Sequence, residues 1–283
     1  MVLTVFVPSK TIAAPETPAL LEIGVSESLL PGIPDWMRGV VTDPFMKLIK
    51  EQSGHAAHTR FLPDGLAVGK ALDEGKLHFG IFYGNEFGWS KARYPKLTAF
   101  AVSVTTPPCQ AFLLVRADRN ATTIAEFAKD NLSLPPIQRP YSAMFLAKQK
   151  REHLKGADFP KTVIADTAVD AVFDVLERRS GCAVVDALTL KFFEQAHPGV
   201  WQQLRILTRS EVFPSPCIAI KANTLDPKML EKIKATLLKA DTLPSSKGLL
   251  RVWHSKGFVE PTEAFLKACG EIAEKYPPPG EKK

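Results

Sequence analysis

The sequence lacks the sites by which many enzymes are read. Its four cysteines, Cys109, Cys182, Cys217 and Cys269, stand far apart. No pair of them has the spacing of a zinc site or a redox dithiol. No His-Glu-x-x-His helix, no Gly-x-Ser-x-Gly elbow and no P-loop appears, and no Gly-x-Gly-x-x-Gly follows the first strand. No window of about 18 apolar residues exists, which excludes a membrane-spanning helix. The net charge of +6 comes from scattered Lys and Arg in 283 residues. With no basic run and no basic–aromatic stripe, nucleic acid is a poor partner, and only a weak preference for anions follows.

What is present is globular. Hydrophobic content of 45% with 23% charged residues argues against disorder. The length suits two domains or one large one. The cysteines read as small buried thiols. A disulfide between Cys109 and Cys217, which both follow prolines, is the alternative. Residues 1–19 read as a leader or signal remnant, disordered and outside the fold. They carry a short apolar run followed by small residues suited to a cleavage site, without a positive n-region. Residues 271–283, ending in "YPPPGEKK", read as a frayed C-terminal tail.

From residue 20 strands and helices alternate. "LLEIGVS", "HTRFLP" and "KLHFGIFYG" read as strands. Between them lie the helical "VVTDPFMKLIKEQSG" and "LAVGKALDEG", each with a glycine near its end. This β-α-β-α-β order predicts a largely parallel sheet covered by helices. "LTAFAVSV" and "AFLLVRAD" are further strands on either side of "TTPPCQ", and Thr123 to Glu126 is a capping box. The theme repeats through the strand "NLSLPP", the helix "YSAMFLAKQKREHL" and the strand "KTVIAD". It continues through the helix "TAVDAVFDVLERRSG", stopping at Gly181, to the strand "CAVVDA". "LRILTRS", "CIAIKAN" and a helix opened by Asp226-Pro227 follow. A small helix and a turn at Lys256-Gly257-Phe258 complete the pattern. Two α/β lobes result: residues 20–112 plus 208–270, and residues 113–207, with crossings near 112–117 and 205–212.

One stretch is unusual. The apolar run from Leu77 to Phe82 breaks into "YGNEFGWS", a phenol, an amide, a carboxylate and an indole where bland turn residues would serve. "GIFYGNEFGWSKARYPKLTAF" and "AFLLVRADRNATTIAEFA" resemble the phosphonate/phosphate-type (PhnD-like) solute-binding proteins of ABC importers. The likeness continues through "TAVDAVFDVLERRSGCAVVDALTLKFFE" and "FPSPCIAIKANTLDPKMLEKIKATLL" to "GFVEPT". It spans roughly residues 20–265 as an ordered series of loose motifs. The resemblance implies a two-lobed type II periplasmic-binding-protein fold, each lobe a mostly parallel sheet flanked by helices. It implies a non-catalytic protein that closes on phosphate, phosphite or a phosphonate in the cleft. It also implies no cofactor, a membrane permease or sensor as partner, a monomer, and a periplasmic or extracytoplasmic place.

Open α/β sheets bind ligands beyond the carboxyl ends of their strands, where helix N-termini supply free N–H groups. On that logic the candidate ligand residues are Ser26, the elbow Tyr83, Gly84, Asn85 and Glu86, the helix start Arg139, Tyr141, Ser142 and Ala143, then Thr167 and Asp186. Ser26, Ser142 and Thr167 would donate hydroxyls; as simple N-caps they would each contribute about 1 kcal/mol instead. Tyr83 and Tyr141 would form an aromatic wall. Arg139 would offer a planar fork, although a solvated charge is the commoner state at such a turn. Glu86 and Asp186 would accept from a substrate amine, a protonated oxyanion or nearby donors. Glu86 is more often a first-turn dipole partner.

The pattern departs from the family at one place. Relatives commonly open the second-lobe helix with Ser-Thr-Ser-Gly, where this chain has Pro140-Tyr141-Ser142-Ala143. One hydroxyl replaces three and the proline has no N–H, which leaves room for a larger, less charged or partly apolar ligand. Two rival readings use the same fold. One is a sensor module. The other is a pyrimidine-synthesis-type enzyme, which would hold a histidine or cysteine in the cleft. A ferric site is disfavoured because no adjacent tyrosine pair exists.

Overall fold

The computed structural model describes residues 20–30, 33–154 and 158–278. The expected leader, residues 1–19, lies outside them. Strands form where apolar residues alternate or run together. They are β1 (Leu20–Ser26), β2 (Ala56–Leu62), β3 (Phe79–Phe82), β4 (Leu97–Thr105), β5 (Ala111–Arg116) and β6 (Leu132–Leu134). Then come β7 (Thr162–Ile164), β8 (Cys182–Asp186), β9 (Leu204–Arg209), β10 (Cys217–Lys221) and β11 (Ser255–Val259). The helices are α1 (Asp35–Ser53), α2 (Gly65–Asp73), α3 (Gly84–Arg93), α4 (Pro140–His153) and α5 (Ala168–Leu176). The rest are α6 (Ala187–Ala196), the single turn α7 (Pro198–Trp201), α8 (Pro227–Leu238), α9 (Lys247–Val252) and α10 (Glu263–Lys275).

Two sheets result. The first has the order β11-β4-β10-β3-β1-β2 and the second β7-β6-β8-β5-β9. Both are mixed. The β-α-β runs give the parallel pairs β1–β2, β1–β3, β6–β7 and β6–β8. Strands entering or leaving each sheet pair antiparallel, as β10 does with β3 and β4, and β5 with β8 and β9. The chain therefore crosses between sheets at 106–110 and 210–216. The crossings expected at 112–117 and 205–212 fall mostly on β5 and β9 themselves, inside the second sheet.

Period-two burial sorts side chains to the two faces of the first sheet. Leu21, Ile23 and Val25 of β1 face Leu48 and Ile49 of α1, Ile233 of α8 and Leu249 of α9. On the opposite face Val68 and Leu72 of α2 pack with Phe82, Phe87 and Cys269. In the second sheet Leu113 and Val115 face Phe145 of α4, whereas Phe112 and Leu114 face Val172 and Val175 of α5. All four cysteines are buried free thiols.

Three local readings need correction. Helix α5 ends at Leu176, and Arg178 rather than Gly181 takes the left-handed backbone, at φ +62°. Gly181 is needed for close approach: a Cβ there would stand 2.4 Å from Asp130 Cβ. The turn read at Lys256-Gly257-Phe258 lies inside β11, where a register shift between Ser255 and Phe258 accommodates it. Residues 271–275 belong to α10 rather than to a frayed tail. Tyr276 after them is buried, its carbonyl accepting from Trp89 Nε1 at 2.8 Å and its hydroxyl donating to Glu211 at 2.8 Å.

Candidate functional site: a cavity between the lobes

The carboxyl ends of β1, β3 and β8 meet the start of α4 between the two sheets. A cavity of about 170 Å³ opens there, with Tyr83 and Leu29 from the first lobe and Arg139, Tyr141 and Leu188 from the second. The crossing segment Thr105 to Cys109 and the pair Trp253-His254 close the remaining sides.

Arg139 organises the cavity. It is the residue before α4, held extended at φ −63° and ψ 142° with Pro140 behind it. Its carbonyl accepts from Ser142 N at 2.9 Å and Ala143 N at 3.2 Å. Its side chain reaches across the cleft: Nη1 donates to Leu29 O and to Tyr83 Oη, each at 3.0 Å. Nε donates to Asp186 Oδ2 at 3.3 Å. A guanidinium has five N–H donors, so three are spent. Nη2 has no hydrogen-bond partner among the described residues. Burial opposes the charge of Arg139, but Tyr83, Asp186 and Tyr141 offset it and the group stays ionised. Asp186 is occupied as well: Oδ1 accepts from Thr189 N at 2.7 Å and caps α6.

The aromatic wall is continuous. Tyr83 and Tyr141 meet edge to face at 5.6 Å, and Tyr141 leads on to Phe213 at 5.7 Å. Burial raises the phenol pKa of both tyrosines well above its usual range, so they remain neutral donors. Burial also pushes the Cys109 thiol up to about 12. His254 sits at φ +46° in the left-handed region, a conformation in which histidine is more frequent than most residues. Burial, then the charge of Arg139, lowers its pKa, so the ring is neutral near pH 7.

The other candidates take other places. Glu86 is only 2% exposed and does not line the cavity. Its Oε1 accepts from Ser26 Oγ at 3.1 Å and Gly65 N at 3.2 Å, and its Oε2 from Tyr83 N at 3.1 Å. It thus ties the end of β1 and the starts of α2 and α3 together, and Ser26 serves it along with a 2.7 Å contact to Ser28 Oγ. Gly84 packs on the crossing segment; a Cβ there would lie 2.4 Å from Pro214 Cβ. Asn85 reaches Met144 Sδ of the opposite lobe at 3.7 Å, while its Oδ1 and the Ser142 hydroxyl are buried without partners. Ala143 is exposed, and its N–H is spent on Arg139.

Thr167 is exposed and away from the cavity. It caps α5, its Oγ1 accepting from Asp170 N at 3.1 Å. The reason is topological: β7, which precedes it, is the outermost strand of its sheet. Thr167→Ala should therefore cost about 1 kcal/mol of stability, read in a urea titration, and leave anion affinity unchanged in the same protein. A loss of affinity would mean that the cap supports the cavity from a distance.

Sequence reasoning missed the crossing segment Thr105 to Cys109, Leu188 and Trp253-His254. None belongs to a periodic pattern, and the only signal was the cluster of prolines in "TTPPCQ".

One family model matches residues 41–265, that of the periplasmic phosphonate substrate-binding protein of ABC transporters. No curated protein matches the sequence. Among solved structures, PhnD1 from Prochlorococcus marinus in complex with methylphosphonate is similar, with a TM-score of 0.66. The identity is 12%, over 92% of this chain and 98% of that one. A binding-protein component of an ABC phosphonate transporter from Pseudomonas aeruginosa gives 0.61 at 15% identity, over 91% and 86% of the two chains. A Xanthomonas citri protein bound to ATP gives 0.64 at 12% identity, over 91% and 96%. At such identities the likeness concerns the fold, which is the two-lobed type II periplasmic-binding-protein fold.

Proposed function

Because the chain belongs to the family of periplasmic phosphonate substrate-binding proteins of ABC transporters, we propose that the cavity at Arg139 binds the phosphorus oxyanion of its solute. The Arg139 fork carries this reading. Among the described residues it is the one cationic side chain on the wall, and it keeps Nη2 free of partners there while its other donors hold both lobes. Arg is suited to oxyanions because its planar donors match their geometry. The neutral Tyr83 and Tyr141 phenols would complete the donor set. Closure would then follow from the ligand's higher affinity for the state in which both lobes reach it.

The family supports an extracytoplasmic protein that passes its solute to a membrane permease. Among the described residues no helix is long and apolar enough to cross a membrane itself. A sensor would use the same clamp. The enzyme reading expects a histidine or cysteine in the cleft, and His254 and Cys109 do line the cavity. A thiol pushed up to about 12 is a poor nucleophile at neutral pH, which favours the binding role.

Thermal unfolding with and without methylphosphonate, phosphate, phosphite and sulfate tests the proposal. A ligand specific for the folded state should add about 2.7 kcal/mol at 100 times its dissociation constant. Stabilisation by a phosphorus oxyanion and not by sulfate supports it. No stabilisation by any of them, nor by a larger organophosphonate such as phenylphosphonate, would defeat it.

A further inference from the structure

The walls opposite Arg139 carry an apolar patch beside Thr105, Thr106 and His254, and that bears on what the oxyanion is attached to. Leu29, Pro107, Leu188, Val252 and Trp253 line the cavity around the guanidinium. The Arg139 cation already carries Asp186 at 3.3 Å, so that pair is neutral before a ligand enters. His254, neutral near pH 7, adds no charge. The helix start supplies few bare N–H groups: Pro140 has none, and the amides of Ser142 and Ala143 bond the Arg139 carbonyl, which leaves that of Tyr141. A small dianion would find two Nη2 hydrogens, neighbouring phenols and a nearby carboxylate. That is a weak site for phosphate.

Size points the same way. An apolar cavity of about 150 Å³ holds a benzene ring. This one, about 170 Å³, has a similar volume, with a guanidinium on one wall and an apolar patch beside it. We infer that the solute is an organophosphonate whose phosphorus carries an apolar group of about ring size. The acid group pairs with Arg139 Nη2, and the apolar body packs on Leu188, Val252 and Trp253. This rests on the oxyanion reading above and narrows it. Burying the body adds to the affinity that the charge pair supplies, since each buried methylene is worth about a fourfold change in binding.

Calorimetric titration of the full chain with phenylphosphonate, methylphosphonate, phosphate and benzenesulfonate decides it. Phenylphosphonate should bind at least about tenfold tighter than methylphosphonate, and phosphate weakest. Leu188→Ala and Val252→Ala should lower the ratio of phenyl to methyl affinity; both side chains are partly exposed, so these variants should fold. Methylphosphonate or phosphate binding as tightly as phenylphosphonate would overturn this inference and leave the oxyanion reading standing. Benzenesulfonate binding tighter than phenylphosphonate would uphold the apolar body and overturn phosphorus as the head. No binding by any of the four would overturn both.

Discussion

Arg139→Leu should weaken phosphonate binding by about 30-fold to about 4,000-fold, the equivalent of about 2–5 kcal/mol for truncating one partner of a buried charge pair. Two losses add together. The ligand loses the Nη2 donors, and Asp186 is left as a carboxylate without its cation although its side chain is only 12% exposed. The substitution also removes the bonds that cross the cleft to Leu29 O and Tyr83 Oη. A companion variant separates recognition from simple damage. Asp186→Asn keeps an oxygen to cap α6 at Thr189 N but removes the negative charge beside Arg139. It should tighten phosphonate binding, because the guanidinium is no longer partly neutralised. Calorimetry at fixed salt reads both. An Arg139→Leu protein that folds and binds within threefold of the parent would remove Arg139 from the site.

The alternation of strand and helix was readable because apolar runs, glycine stops and N-caps recur in order from residue 20. Helix α10 was missed although Cys269, Ile272 and Tyr276 are spaced for one buried face, because the proline-rich end was read as a tail. The site was legible where it follows from strand ends: Tyr83 after β3, Arg139 at the start of α4 and Asp186 at the end of β8. Arg139 itself read as a solvated turn charge, since nothing local shows that Leu29 O and Tyr83 Oη stand opposite it. Thr167 read as a ligand candidate because chain order does not reveal that β7 is an edge strand. The crossing segment and His254 were invisible for a related reason. Their contribution depends on two sheets meeting, and local pattern carries no record of that.

Glu86→Ala should cost about 3–5 kcal/mol, a large share of the roughly 5–15 kcal/mol that holds a folded chain together. The carboxylate answers the puzzle of the elbow after β3: it is buried where it holds three segments together, away from the cavity lining. Removing it orphans Gly65 N and Tyr83 N, two buried donors, and leaves Ser26 Oγ with only Ser28 nearby. Gly65 packs directly on this side chain: a Cβ on it would stand 2.3 Å from Glu86 Cβ. Glu86→Gln should cost less, about 1–3 kcal/mol, because an amide keeps one acceptor oxygen and loses the other. The acid also has a pH signature. Burial, working against the bonds from Ser28, Tyr83, Gly65 and Ser26, raises its folded pKa above the usual carboxylate value. A raised folded pKa contributes stability that is fully present below the unfolded pKa and is lost as pH rises through the folded one. The parent's advantage over Glu86→Gln should therefore shrink as pH rises across that window. Urea titrations followed by tryptophan fluorescence and far-ultraviolet circular dichroism, with coincident transitions, measure each difference. A Glu86→Ala protein within 1 kcal/mol of the parent would show that water replaces the carboxylate and that the elbow needs no acid to hold its shape.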